Sequence, residues 1–246
     1  MLVILPPSET KSDGGKAAPL NLDSLSLPEL TPIRRKLADA LVELASDLDA
    51  SREALGLGAS AVAEIERNAD LWESPTRTAI TRYTGVLYDA LDYPGMTRAS
   101  KTKAGDRLAI GSALFGVVAA NDLIPAYRLS GGSKLPGFGT LGSLWKPALS
   151  PALDRLDDFV VDLRSGVYQK LGPVDGAVTA TVVTEASDGS RKIVSHFNKH
   201  YKGLMAHELV RTRRTVRDVN ALAAVLSDAG QRVEITSPLE ITVITE

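Results

Sequence analysis

Every histidine of the chain lies in one basic segment, residues 196–214, which reads HFNKHYKGLMAHELVRTRR. Clustered histidines can hold a metal ion, transfer protons, or add positive charge to an anion-binding surface. His196 and His200 stand four residues apart, as the histidines of the zinc-protease signature H-E-x-x-H do. The glutamate of that signature is missing, and the ammonium group of Lys199 would repel a divalent cation. We therefore predict no metal here, and no cofactor for the chain.

The same segment carries lysines where a helix is expected to begin. Lys199, Lys202 and Gly203 follow a predicted strand and turn, and they precede an apolar helical stretch. Backbone N–H groups at a helix start, flanked by lysines, suit a phosphate or a carboxylate. His207 falls inside this helix. It either joins the basic face at lower pH or packs as a neutral side chain under the sheet, and the sequence leaves both open.

A second polar cluster, PPSETK, follows the first predicted strand. Ser8, Thr10 and Lys11 would place two hydroxyl groups and an ammonium group at the end of that strand. Ligands collect at the carboxyl ends of strands in α/β folds, so this cluster predicts part of a binding site. The spacing differs from that of a Walker phosphate-binding loop.

Two further clusters contain tyrosine together with a polar neighbour. Tyr127 and Arg128 lie in the irregular stretch LIPAYRLSGG, and an arginine there could pair bidentately with a phosphate or carboxylate. Ser165 and Tyr168 come just after a predicted strand, in LRSGVYQKL. The alternatives are a packed tyrosine beside a surface ion pair in the first stretch, and ordinary turn chemistry in the second.

The stretch LGLGASA places Gly56 and Gly58 between two short predicted helices. Such a turn can offer backbone N–H groups to a DNA phosphate, as helix-hairpin-helix modules do. The alternative is a tight corner between helices that needs glycine backbone angles. Acidic flanks at Glu53, Glu64 and Glu66 weaken the DNA interpretation at this turn.

Composition excludes several classes of protein. The 246 residues contain no cysteine, which rules out disulfides, thiolate catalysis and cysteine-ligated metal centres. The N-terminal MLVILPPSET is typical of a first strand rather than of a signal peptide, and the longest uncharged stretch, residues 108–121, is too short to span a membrane. We therefore expect a cytoplasmic protein with no membrane partner. Residues 191–217 carry a charge of +7, which leaves −9 for the rest of a chain whose net charge is −2.

Strand and helix patterns alternate along the chain without a long linker. Residues 2–5 predict a buried strand, and apolar residues at helical spacing predict a helix that begins at Thr31. Residues 176–197 predict an antiparallel hairpin around an Asp-Gly turn, and a helix over about 200–213 follows it. We predict a single α/β domain over residues 1–246, with a mixed sheet flanked by helices and a helix-hairpin-helix-like element.

Taken in order, five segments resemble the YaaA family of peroxide stress proteins. The segments are LPPSETK, YTGVLYDAL, SALFGVVAANDLIPAYRL, VDLRSGVY and VSHFNKHYKGLMAHEL. The residues that match the family pattern are Ser8 and Lys11; Tyr127, Arg128 and Leu129; Asp162, Leu163, Ser165 and Tyr168; and Lys199, Lys202, Gly203 and Met205. The resemblance implies a cytoplasmic α/β protein that limits free iron and damage under hydrogen peroxide. It also implies a positively charged cleft and a helix-hairpin-helix-like element, with DNA as the proposed partner.

These observations lead to one expected site and two hypotheses for its use. The first is that the cleft binds double-stranded DNA during oxidative stress, with Gly56, Gly58, Lys199 and Lys202 at the nucleic acid. The alternative is an enzyme that acts on a small phosphorylated or nucleotide-like molecule. There the ligand would be oriented by Ser8, Thr10, Lys11, Tyr127, Arg128 and Gly203. The candidates for moving a proton are Tyr168 and Lys199, with Lys11 as a third. The sequence does not specify the oligomeric state. We expect one cavity to be lined by Lys11, Arg128, Ser165, Tyr168, Lys199 and Lys202.

Overall fold

The structure is a computed structural model that describes residues 1–194 and 197–245. Its centre is a mixed eight-stranded sheet with the order β10-β11-β8-β7-β1-β4-β5, in which β9 also pairs with β8. A smaller sheet has the order β2-β3-β6. The strands are β1 Leu2–Leu5, β2 Ala17–Pro19, β3 Pro75–Thr78, β4 Leu108–Ser112, β5 Gly116–Ala119, β6 Leu123–Ile124, β7 Val160–Asp162, β8 Val178–Glu185, β9 Arg191–Ile193, β10 Arg232–Ser237 and β11 Glu240–Thr245.

Helices flank the main sheet, as expected for an α/β domain. They are α1 Thr31–Leu44, α2 Leu48–Leu55, α3 Val62–Ala69, α4 Ala79–Arg82, α5 Val86–Leu91, α6 Arg98–Arg107, α7 Leu141–Asp154, α8 Gly166–Gln169, α9 Asn198–Arg211 and α10 Val219–Asp228. None of the helices in the described residues is long and apolar enough to cross a membrane. The predicted α/β class and mixed sheet are confirmed.

The centre of the sheet is parallel. Strand β1 lies between β4 and β7 and runs parallel to both, and β8 and β11 continue the parallel set. The three buried residues Val3, Ile4 and Leu5 make β1 a core strand, which explains its continuous apolar sequence. The chain reaches β4 on one side of β1 and later returns to β7 on the other side. This reversal opens a crevice at the carboxyl ends of β1 and β7.

The predicted hairpin forms, but it is joined to further strands that its sequence pattern did not indicate. Strands β8 and β9 are antiparallel around Asp188 and Gly189, as the alternating pattern indicates. Strand β8 also pairs in parallel with β7 and β11. The hairpin is therefore part of the main sheet.

At the opposite end of the sheet, Arg34 of α1 reaches the edge strand β5. Arg34 is buried, its Nε donates to the carbonyl of Phe115 at 3.0 Å, and its Nη2 donates to the carbonyl of Val117 at 2.9 Å. Burial lowers the pKa of Arg34 to about 10. Strand carbonyls that would otherwise be open to pairing with another chain are thus occupied.

Helix α9 packs directly on α5 because Gly203 has no side chain. A Cβ atom at Gly203 would lie 2.7 Å from the Cβ of Ala90, and closer still to the carbonyl oxygen of Leu87. The glycine therefore permits the close helix contact. Gly203 was expected at the start of the helix, where backbone N–H groups suit a phosphate or a carboxylate, and the structure places it buried inside α9. Its part in ligand binding stays a prediction.

Candidate functional site

Two adjoining cavities open at the carboxyl ends of β1 and β7, and we call them together the cleft. The main cavity has a volume of about 390 Å³ and the side cavity about 270 Å³. Both are lined by Pro6, Pro7, Glu9 and Lys199. The main cavity adds the turn of residues 130–132, then Ser165, Val167 and Tyr168, and then Asn198 and Lys202. The side cavity adds Ser8, Thr10 and the start of α5.

The loop that separates the two cavities is held at several points. Pro6 follows β1, and its carbonyl accepts a 2.9 Å hydrogen bond from the hydroxyl of Tyr88. The hydroxyls of Ser8 and Thr10 are 3.0 Å apart, and Thr10 donates to the carbonyl of Thr84 at 3.3 Å. The predicted hydroxyl pair therefore exists, and it lies beside the side cavity.

A buried ion pair shapes the loop that follows β7. Arg164 donates through Nε and Nη2 to the two carboxylate oxygens of Asp162, at 2.8 and 2.7 Å. Its remaining donors reach the carbonyls of Tyr168 and Gly172, at 3.3 and 2.8 Å. This planar fork fixes the turn into α8, which presents Ser165 and Tyr168 to the main cavity.

Lys202 forms one wall of the main cavity while it braces the same loop. Its Nζ donates to the carbonyl of Leu163 at 2.9 Å, with the carbonyl of Arg164 at 3.4 Å. Burial lowers the pKa of Lys202, and the nearby carboxylate of Asp162 partly opposes that shift. Lys202 therefore links α9 to the β7–α8 loop and carries its charge at the cavity edge.

The first turn of α9 faces the cleft with Lys199, which is exposed. No acidic residue lies in that turn, and within the described residues no side chain caps its N-terminus. Across the cavity, burial raises the pKa of Tyr168, whose hydroxyl accepts a 3.1 Å hydrogen bond from the amide of Gly131. Tyr168 thus stays protonated near neutral pH and is suited to donate a hydrogen bond rather than to act as a base.

Lys11 lies behind the cavity wall. It is 8% exposed, and its Nζ donates to the carbonyls of Ser8 and Glu9 at 3.1 and 3.4 Å. The ammonium group stands 4.3 Å from the ring centroid of Tyr127. Burial lowers the pKa of Lys11 to about 8, and the carboxylate of Glu9 opposes the shift.

Tyr127 belongs to a buried chain of hydroxyl groups. Its hydroxyl lies 2.7 Å from that of Tyr83 and 2.7 Å from that of Ser112. Burial raises the pKa of Tyr127 well above its usual range and that of Tyr83 to about 12. Tyr127 lines neither cavity. The structure thus places it beneath the cleft, where it supports Lys11.

Arg128 is also set back from the cavities. Its backbone makes two hydrogen bonds with the Asn68 side chain, at 2.7 and 2.9 Å, which fix it against α3. Its Nη1 lies 3.4 Å from the Oε2 of Glu9. Glu9 was not among the expected site residues, although it stands inside the PPSETK cluster.

The expected convergence on one cavity is found for four of its six residues. The main cavity is lined by Ser165, Tyr168, Lys199 and Lys202, whereas Lys11 and Arg128 line neither cavity. Their part in ligand binding stays a prediction. Pro6, Pro7, Asn198 and the turn 130–132 also line the cavity. All of these residues lie in segments that the sequence analysis singled out, namely PPSETK, LIPAYRLSGG and the basic segment, but none of them was expected to line the site.

Gly56 and Gly58 line neither part of the cleft. Gly56 ends α2 in the left-handed conformation, with φ of 65°, and both glycines are exposed. Two short helices therefore flank the turn, as expected. A DNA-binding role of this element stays a prediction.

The histidines are placed apart from the cleft where the structure describes them. His207 Nδ1 lies 2.7 Å from the carbonyl oxygen of Leu91, so this side chain packs between α9 and α5. The His200 ring stands edge-on to Tyr201. His196 lies outside the described residues. Within those residues no group of three or more potential His, Asp or Glu ligands could hold a metal ion.

The basic segment does not form one continuous surface. Arg191 pairs with Glu185 and Glu234 at the sheet, each at 2.7 Å. Lys199 and Lys202 face the cleft, while residues 211–214 line an open groove of about 460 Å³ at the other end of α9. Because α9 has 14 residues, about 21 Å separates its ends.

Sequence comparisons give the chain its family. A UPF0246 protein of Corynebacterium efficiens is 49% identical over 239 residues, which cover 96% of this chain and 95% of that protein. A UPF0246 protein of Streptomyces coelicolor is 42% identical over 243 residues, covering 97% and 94%. An uncharacterized protein of Campylobacter jejuni is 31% identical over 209 residues, covering 83% and 82%. A family model described as peroxide stress protein YaaA matches residues 1–233, so the chain belongs to that family.

Proposed function

We propose that this YaaA-family protein binds a small molecule bearing a phosphate or carboxylate group in the cleft, and that this binding is its part in the response to peroxide stress. The observation that carries the proposal is the meeting of Lys199 and Lys202 with Ser165 and Tyr168 at one cavity of about 390 Å³. A volume of this order suits a small ligand better than a duplex.

The polar groups of the main cavity favour an oxyanion. Lys199 supplies an exposed ammonium group, and the first turn of α9 adds the positive end of a helix dipole. Ser165 and Tyr168 supply hydroxyl groups that can donate hydrogen bonds. Among the described residues, Glu9 is the one carboxylate in the cavity lining, and it lies beside Arg128. The ligand-facing charge is therefore positive.

Calorimetric titration with two probes, inorganic phosphate and adenosine 5′-monophosphate, tests this proposal. Charge-assisted hydrogen bonds are worth about 1.5–3 kcal/mol, so Lys199→Gln should weaken binding by about tenfold or more. Lys192→Gln is the matched control, because Lys192 is an exposed lysine on β9 outside the cleft. Equal effects of the two substitutions, or no saturable binding of either probe, would contradict the proposal.

Nucleic-acid binding is a second candidate, favoured by the groove at the far end of α9. Arg211, Arg213 and Arg214 line it together with Lys103. Arg211 and Arg214 pair with Glu208 and Asp228, so part of this charge is already neutralised. Binding there should be weak and indifferent to sequence.

Salt titration with duplex DNA tests this second candidate. The logarithm of the affinity should fall linearly with the logarithm of salt concentration, with a slope of roughly −0.9 per phosphate neutralised. Arg213→Gln should lower the magnitude of that slope by about one, whereas Lys199→Gln should not if the groove is the site. An absence of duplex binding at low salt would exclude this candidate.

A further inference from the structure

The ion pair between Glu9 and Arg128 is poorly formed compared with the other arginine pairs near the cleft. Arg164 holds Asp162 with two hydrogen bonds of 2.8 and 2.7 Å, and Arg67 holds Asp13 at 2.7 Å. Arg128 reaches Glu9 only at 3.4 Å. Within the described residues, the buried Oε2 of Glu9 accepts no hydrogen bond and the buried Nε of Arg128 donates none. A guanidinium and a carboxylate so close together normally satisfy each other.

The two partners differ in how freely they can move. Arg128 is anchored through its backbone to Asn68, and its side chain is only 21% exposed. The side chain of Glu9 is 42% exposed, while its backbone carbonyl is held by Lys11. Glu9 can therefore turn its carboxylate into solvent without movement of the loop.

Glu9 also stands between Arg128 and the cleft. It lines both the main and the side cavity, whereas Arg128 lines neither. Both charged groups influence the pKa of Tyr168, and burial is the largest cause of that shift. Since Glu9 lines both cavities and its Oε2 lies 3.4 Å from Nη1 of Arg128, the guanidinium lies directly behind the Glu9 side chain.

Displacement of Glu9 would leave positive charge without a partner. Two neighbouring arginines are already paired, Arg67 with Asp13 and Glu64, and Arg164 with Asp162. Without Glu9, Arg128 would lose its counter-charge, and Lys11 would keep only the smaller influence of Glu64. The guanidinium donors would then be available to two oxygens of a ligand. A tetrahedral or planar oxyanion meets this requirement.

We propose that Arg128 is an oxyanion subsite of the cleft that the carboxylate of Glu9 occupies until a ligand's phosphate or carboxylate group displaces it. This proposal rests on the function proposed above, and it adds Arg128 as the residue that pairs with the ligand's anionic group. The carboxylate of Glu9 then competes with the ligand's anionic group for Arg128 and lowers the affinity of the cleft for anions.

This is tested by measuring the affinity for inorganic phosphate, and separately for acetate, of the wild-type protein and of the Glu9→Gln, Arg128→Gln and double variants. Glu9→Gln should raise the affinity for at least one probe by about tenfold, because a competing charge is removed. The gain should vanish in the Arg128→Gln background. A gain in affinity that persists in the double variant would reflect only the lower negative charge of the cavity, and it would overturn the subsite. An unchanged or weaker affinity of Glu9→Gln for both probes would also overturn it.

Lys199→Gln separates this inference from the proposed function. If phosphate binding depends on Lys199 but Glu9→Gln has no effect, the cleft binds the anion and Arg128 is not its subsite. If Glu9→Gln gains affinity through Arg128 while Lys199→Gln changes nothing, the subsite stands and the proposed role of α9 fails. Labelling by phenylglyoxal, mapped by mass spectrometry, gives a second readout. Arg128 should react faster in Glu9→Gln, and the effective probe should protect it, whereas equal rates contradict the proposal.

Discussion

Lys11 should make the stability of this protein depend on pH in a range where most lysines do not titrate. Its folded-state pKa of about 8 lies below the ordinary lysine value of 10.5, because burial disfavours the charged form. Below pH 8 the amine is charged in both states, and the fold bears the full cost of burying that charge. As pH rises from 8 towards 10.5, the folded state releases its proton before the unfolded state does, and the cost is relieved.

The magnitude follows from the size of the pKa shift. At about 1.36 kcal/mol per unit, burying the charged amine costs roughly 3 kcal/mol at pH 7. Integration of the two titration curves gives a gain in unfolding free energy of about 2 kcal/mol between pH 7 and pH 9.5. Lys11→Met removes the titrating group, so the difference between wild type and variant should change by this amount in favour of the wild type.

Urea denaturation of wild type and Lys11→Met at pH 7, 8, 9 and 9.5 measures this difference. Other groups that titrate in this range, including the buried tyrosines, are common to both proteins and largely cancel. Lys16→Met is the control, because Lys16 is exposed in the same loop. If the difference between wild type and Lys11→Met is constant over this range, Lys11 titrates normally and the argument from burial is wrong.

Three further substitutions test the supports of the cleft. Gly203→Ala should destabilise the fold by about 1–3 kcal/mol in urea denaturation, since its Cβ would meet α5. Gly58→Ala has open space and should be close to neutral; equal effects would contradict the packing role of Gly203. Asp162→Asn should cost roughly 3–5 kcal/mol, because Arg164 is left buried without its counter-charge, and a cost below 1 kcal/mol would count against this view. Tyr127→Phe should cost about 1–3 kcal/mol and leave phosphate affinity unchanged, and loss of that affinity would place Tyr127 at the ligand.

Local patterns in the sequence determined the class of fold and the position of the cleft. The apolar run of β1, the alternation in β8 and the helical spacing of α1 depend on near neighbours, and each forms as its pattern predicts. Polar residues that directly follow β1 and β7 meet at one edge of the sheet because the two strands are parallel neighbours. Ser8, Ser165 and Tyr168 could therefore be assigned to the cleft from the sequence.

Tertiary structure alone decided what each polar side chain contacts. Lys202 braces two carbonyls 38 and 39 residues away, and Gly203 meets a helix more than 100 residues earlier in the chain. The basic segment is compact in sequence, yet α9 carries its charges to opposite ends of a helix about 21 Å long. The charge and hydrogen-bonding capacity of a residue are properties of its type. Whether a carbonyl, a carboxylate or a ligand uses that capacity depends on distances that only the packed chain sets.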